Sequence, residues 1–255
     1  MEPAPSKFKN VKVFLKKTLA VAKKNKIYYL KPPVLIFGLL FPLVMFLAFA
    51  IGRDIELYQL TPGMLGITAL FTASSVGPLI SPWEKMMKTH ERLITSPLSL
   101  WNILLGDMLS GFLFGLLIAL VPLVVGIGIF QVQLANIFPF IAALLLTVFC
   151  FSTLGSLMSS LPTELPANVM MLSNLIRFPL LFLSGIFIPL AGMPQWAQTI
   201  SFISPLTYAV ELFRWSFGLT ITINIYLCYL LLIGFTVLFL LWAKFAHERS
   251  IKSYY

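Results

Sequence analysis

Two ionisable side chains, Asp107 and Arg177, interrupt long apolar runs of this 255-residue chain. A charge held in hydrocarbon is costly, so it marks a proton relay, a substrate path or a buried pair. Asp107 lies ~6 residues and Arg177 ~9 residues inside their runs, at 1.5 Å per residue. That similar depth allows them to pair, but each could equally reach back to the nearer headgroups on its own. Thr68, Thr72, Ser74 and Ser75 form a second polar set in another apolar run. Groups for bond-making chemistry are missing. There is no GxxxxGK[ST] nucleotide loop. His90-Glu91-Arg92 and His247-Glu248-Arg249 lack the second histidine of a zinc HExxH pair, and no GxSxG elbow occurs. These residues suit binding and movement. Any ATP and magnesium used must be bound by another subunit.

The elements that carry these residues are membrane spans. Hydrophobic residues make up 59% of the chain and charged ones 11%, with a mean hydropathy of +0.93. A soluble domain carries about 25% charged residues. Six runs, at 33–51, 62–82, 101–130, 137–160, 168–190 and 222–243, have the ~20 residues that cross a ~30 Å hydrocarbon core. Backbone groups in lipid must be satisfied internally, so the runs are expected to be helices. The run at 62–82 is the least lipid-like of the six.

Fifteen of the 18 cations fall on one set of connecting segments. Nine lysines, from Lys7 to Lys31, precede the first span. Lys85, Lys88 and Arg92 follow the second, and Lys244, Arg249 and Lys252 follow the sixth. Arg53 and Arg214 lie on the opposite side. The positive-inside rule then puts both termini in the cytoplasm of a cell-membrane protein. Net charge is +9, but this distribution argues for lipid headgroups and against nucleic acid. The expected layout is a basic segment at 1–31, a six-helix domain at 32–243 and a cytoplasmic tail at 244–255. The long basic start and span-length first run read as an anchor and not as a cleaved leader. Cys150 and Cys228 fall inside spans and read as buried free thiols.

Three flanking segments stand out. Phe8, Val11, Phe14, Leu15, Thr18, Leu19 and Ala22 recur at helical spacing, which predicts an amphipathic helix lying at the membrane surface. Trp83, Met86, Met87, His90, Leu93 and Ile94 form one face of a second such helix. It either rests on the membrane or docks a soluble partner. After the fifth span, Pro189, Pro194 and Pro205 chop a still apolar region into short helices half-inserted at the outer interface. There Trp196 and Tyr208 are expected at headgroup level, with Glu211 and Arg214 three residues apart. Gly111 and Gly115 in the third span permit close helix approach.

Two segments resemble the type-2 ABC exporter permeases, the antibiotic-resistance and nodulation-type transporters. Glu84, Thr89, Glu91, Arg92, Leu93, Ser96 and Pro97 match that family's cytoplasmic coupling pattern, with Lys88 where glycine is usual. Leu183-Ser-Gly-Ile-Phe-Ile-Pro189, Met193-Pro-Gln-Trp196 and Pro205-Leu-Thr-Tyr208 with Glu211 and Arg214 match its run after the fifth helix. The resemblance implies an all-α integral membrane half-transporter. Two permease subunits, identical or homologous, would form the path, and separate cytoplasmic ATPase subunits would bind ATP and magnesium. It implies coupling through Glu84, Lys88, Thr89, Glu91, Arg92 and Leu93. It also implies a pathway near Thr68, Thr72, Ser74, Ser75, Asn174 and Arg177, because spans one, two and five meet at the dimer centre. The outer gate would involve Pro189, Trp196, Pro205, Tyr208, Glu211 and Arg214.

The expected function is export of an amphipathic or lipid-linked molecule. A secondary transporter would require buried carboxylates and two similar halves, and only Asp107 fits that requirement. A non-transporting membrane scaffold is the other alternative.

Overall fold

The computed structural model describes residues 7–29, 40–44, 48, 57–87, 96, 98–128, 131–161 and 165–252. These are helical, with no strand among them. The helices are α1 (Lys7–Tyr29), α2 (Thr61–Ala73), α3 (Val76–Met86), α4 (Leu100–Gly128) and α5 (Ile137–Met158). They continue with α6 (Pro166–Leu183), α7 (Gln195–Ser201), α8 (Pro205–Ser216) and α9 (Ile225–Lys252).

Among the described residues, four stretches are long and apolar enough to cross a membrane: Thr61–Glu84, which joins α2 and α3, then Leu100–Gly128, Ile137–Met158 and Ile225–Arg249. The chain is therefore a multi-pass membrane protein. Most of the expected first span lies outside the described residues, and only 40–44 and 48 of it are placed. The fifth run ends earlier than its hydropathy suggests, at Leu183 and not near 190. Gly185 has φ +75°, a left-handed conformation that stops a helix at low cost. The resulting helix of 18 residues is about 27 Å long, slightly short of the hydrocarbon core. Conversely α9 continues to Lys252, well past the expected end at 243. Its 28 residues span about 42 Å, so its last turns project from the apolar layer.

Hydropathy and burial run opposite ways. The least apolar span, α2–α3, is the most enclosed, with 89% of its central window buried. It packs against α4, α5, α6 and α8. The more apolar α9 leaves Leu230, Ile233, Val237 and Leu241 exposed for lipid. Small residues allow the close packing at the centre. A Cβ at Gly77 would lie 2.5 Å from the Gly155 carbonyl oxygen, so α3 and α5 touch backbone to backbone. Gly111 and Gly115 do bring helices together, with α4 lying against Ala73 of α2 and Ser152 and Val148 of α5.

Helix α1 packs one side against the protein. Thr18, Val21, Ala22 and Asn25 are buried against α4, whereas Val11, Leu15 and Leu19 are exposed. Val21 sits over Gly106 of α4, and hydrogen bonds add to that contact. Asn25 Nδ2 donates to Asp107 Oδ1 at 2.7 Å and to Ser110 Oγ at 3.1 Å. Asn102 Nδ2 donates to the Phe14 carbonyl and to Thr18 Oγ1, both at 3.2 Å. Its Oδ1 accepts from the Ser99 amide and hydroxyl, closing a reciprocal cap at the start of α4.

Candidate functional site

The central span breaks at Ser74-Ser75, between α2 and α3. The cause is four residues further on. Pro78 has no N–H, so it cannot bond the carbonyl of residue i−4, which is Ser74. The regular ladder is present one residue later, where the Leu79 amide donates to the Ser75 carbonyl at 3.1 Å. Arg177 of α6 supplies the missing donor. Its Nη2 donates to the Ser74 carbonyl at 2.7 Å and its Nε to Ser74 Oγ at 2.8 Å. Nη1 donates to Asn174 Oδ1, one turn back, at 3.1 Å. The guanidinium also sits 5.9 Å from the centre of the Phe71 ring. Phe71, Phe41 and Phe178 pack together around it, with centroids 4.6 to 6.2 Å apart.

Arg177 is 2% exposed. Its hydrogen-bond partners are neutral, and the negative end of α2 is the charge it meets. It does not pair with Asp107, which is engaged at the α1 contact. The depth argument allowed a pair, but α4 and α6 hold these side chains at separate places. Thr68, Thr72 and Ser74 are buried. Thr72 Oγ1 donates to the Thr68 carbonyl at 2.6 Å, while Ser74 and Ser75 donate to the carbonyls of Leu70 and Phe71. Ser75 and Asn174 are half-buried.

The proline-rich segment forms two short helices, α7 and α8, joined by a tight turn at 202–204. Pro205 starts α8, with Ser204 before it donating to the Leu180 carbonyl at 3.0 Å. Trp196 is 68% exposed, which suits a lipid-facing ring, and Pro189 is exposed. Tyr208 is not at a headgroup surface. It is 3% exposed, and its hydroxyl donates to the Phe202 carbonyl at 2.7 Å. Helix α8 packs against α2, α5 and α9 because Gly66 leaves room for Leu206 and Val210. Glu211 is buried and accepts from the amides of Thr222, at 2.6 Å, and Ile223, at 3.2 Å. It ties α8 to the turn that precedes α9. Burial lowers the Arg214 guanidinium from its ordinary range, and the nearby Glu211 charge opposes that shift.

An ABC-2 type transporter family model matches residues 9–218, from within α1 to just beyond α8. The chain belongs to the ABC-2 type transporter family. It is 24% identical over 198 residues to the inner membrane transport permease YadH of Escherichia coli K12, covering 76% of each chain. It is 31% identical over 164 residues to the putative transport permease ycf38 of Cyanophora paradoxa, covering 62% of this chain and 54% of that one. It is 24% identical over 153 residues to the probable multidrug ABC transporter permease YbhR of E. coli K12, covering 59% and 41%. The chain thus spans about half the length of the latter two relatives.

Among the residues expected to couple an ABC-2 permease to its motor, Glu84 is described. It is 5% exposed at the end of α3 and forms an ion pair with Lys24 of α1. Lys88, Thr89, Glu91, Arg92 and Leu93 lie outside the described residues. Sequence reasoning missed Pro78, Asn25 and Asn102. A proline four residues beyond a serine pair in a span, and asparagines within amphipathic or apolar stretches, were the available signals.

Proposed function

We propose that this ABC-2 family chain is the membrane-spanning permease subunit of an ATP-driven exporter in the cell membrane. A second copy, or a homologous permease, completes the path. A separate cytoplasmic ATPase binds ATP and magnesium and supplies the energy. The observation that carries this reading is the family match over most of the chain. The three relatives are all named as permeases, and one as a probable multidrug permease. The substrate class that suits such apolar surroundings is amphipathic or lipid-linked.

A broken, polar central span next to an apolar bundle supports movement by rigid-body shifts between packed states. The Lys24–Glu84 ion pair supports a mechanical link between the N-terminal helix and the start of the coupling segment, Glu84 to Pro97. The short helices α7 and α8, with Pro189, Trp196, Pro205, Tyr208, Glu211 and Arg214, are the proposed exit gate. An ion-gradient mechanism has less support, because Asp107 accepts a hydrogen bond from Asn25 at the α1–α4 contact.

The deciding experiment reverses the charges at Glu91 and Arg92. Glu91→Arg with Arg92→Glu is expected to leave the permease inserted but to abolish copurification of the ATPase and ATP-dependent export. Retention of both would reduce the segment to a surface anchor. Orientation is tested separately in intact cells. A cysteine placed at Gln59 should react with an impermeant maleimide and one at Lys88 should not, and the opposite pattern would invert the topology.

A further inference from the structure

An apolar groove of about 440 Å³ is lined by the end of α5 together with α6 and α9. That volume falls within the range of small-ligand sites. One wall is a stripe on α9 formed by Phe235, Phe239, Trp242 and Ala246. Opposite it stand Ile176 and Leu180 of α6, and Pro205 at the start of α8 adds to the lining. Ile176 is 42% exposed and Trp242 56%, so the groove opens sideways along two membrane-embedded helices. The medium it meets is lipid.

The stripe has spacings of four, three and four residues, and the next position in that series is Arg249. Arg249 is exposed and lies against the Phe245 ring at 4.2 Å. Among the described residues it pairs with no carboxylate. The neighbouring Lys244 is engaged elsewhere, 3.5 Å from Glu248 and 5.3 Å from the Trp101 ring centre. By that spacing Arg249 follows the last groove residue, Ala246, by one turn on the same side of α9, with its guanidinium stacked on Phe245 and its donors open to an anion. A guanidinium matches a phosphate through paired donors.

We propose that this groove holds one acyl chain of an anionic phospholipid, with the lipid phosphate on Arg249. The lipid belongs to the leaflet at the C-terminal end of α9. Lipid binding at this site requires no ATPase, so its failure would leave the permease reading untouched.

The test is native mass spectrometry of the full-length chain in mild detergent, with phosphatidylglycerol or phosphatidylcholine of identical acyl chains added. Wild type should retain one phosphatidylglycerol per chain in preference to phosphatidylcholine. Arg249→Gln should reduce that preference about fivefold, the effect of one cation near a lipid surface. Ala246→Trp, which fills the groove, should lose retention of both lipids. Equal retention of the two lipids by wild type, or an undiminished preference in Arg249→Gln, overturns the proposal. Arg249 is exposed, so that variant decides the matter even if Ala246→Trp fails to fold.

Discussion

Arg177→Lys is expected to lower the melting temperature by roughly 5–10 °C, although the positive charge is kept. Lysine retains the burden of a buried cation but cannot reach the Ser74 carbonyl, Ser74 Oγ and Asn174 together. Losing two hydrogen bonds from a charged donor, with a buried carbonyl left bare, costs about 2–4 kcal/mol. The sign is clear for lysine. For Arg177→Met it is not, since relief of the buried charge opposes the lost bonds. A second substitution isolates the cause. Pro78→Ala restores an amide that can bond the Ser74 carbonyl, so Arg177→Lys should cost less in that background, by about 1 kcal/mol. Melting curves of the four proteins of this double-mutant cycle measure the coupling. Simply additive effects would show that Arg177 does not substitute for the proline's missing donor.

The same residues show how far the sequence could be read. Span-length runs, the broken segment after the fifth helix and the family pattern were legible because hydropathy, proline and glycine act locally. The polarity of Thr68, Thr72, Ser74 and Ser75 correctly singled out the second span, and its near-complete burial explains why it tolerates them. What these residues bond was not legible. Arg177 and Ser74 are 103 positions apart, and no periodicity connects them. Tyr208 was read as a headgroup residue because aromatic rings favour that level, but the gap over Gly66 draws α8 into the core. In helix α1 the apolar periodicity did not reveal which side chains meet the protein, since Val11, Leu15 and Leu19 of that stripe need no protein cover in a membrane protein. Polar side chains then help decide which face docks, because lipid offers them no partners.

The hold of α4 over α1 rests on Asn25. Asn25→Leu should speed backbone hydrogen exchange in α1 by roughly 30–150-fold while leaving α5 unchanged. Asn25 is 0% exposed and gives two hydrogen bonds to α4, one to the Asp107 carboxylate. Their combined contribution is about 2–3 kcal/mol, and the population of the detached helix rises by the corresponding factor. Leucine is similar in size, so the change removes donors without opening a large cavity. Leu15→Gln provides the contrast. Leu15 is 53% exposed, and its replacement should leave α1 exchange in detergent unchanged although it breaks the aliphatic stripe. If the aliphatic face held the helix, the two outcomes would be exchanged. Because Lys24, next to Asn25, pairs with Glu84, detachment also removes the link to the proposed coupling segment. On that proposal Asn25→Leu should weaken ATPase coupling even though residue 25 lies outside the segment from Glu84 to Pro97. Faster α1 exchange with undiminished coupling would show that α1 serves only as an anchor.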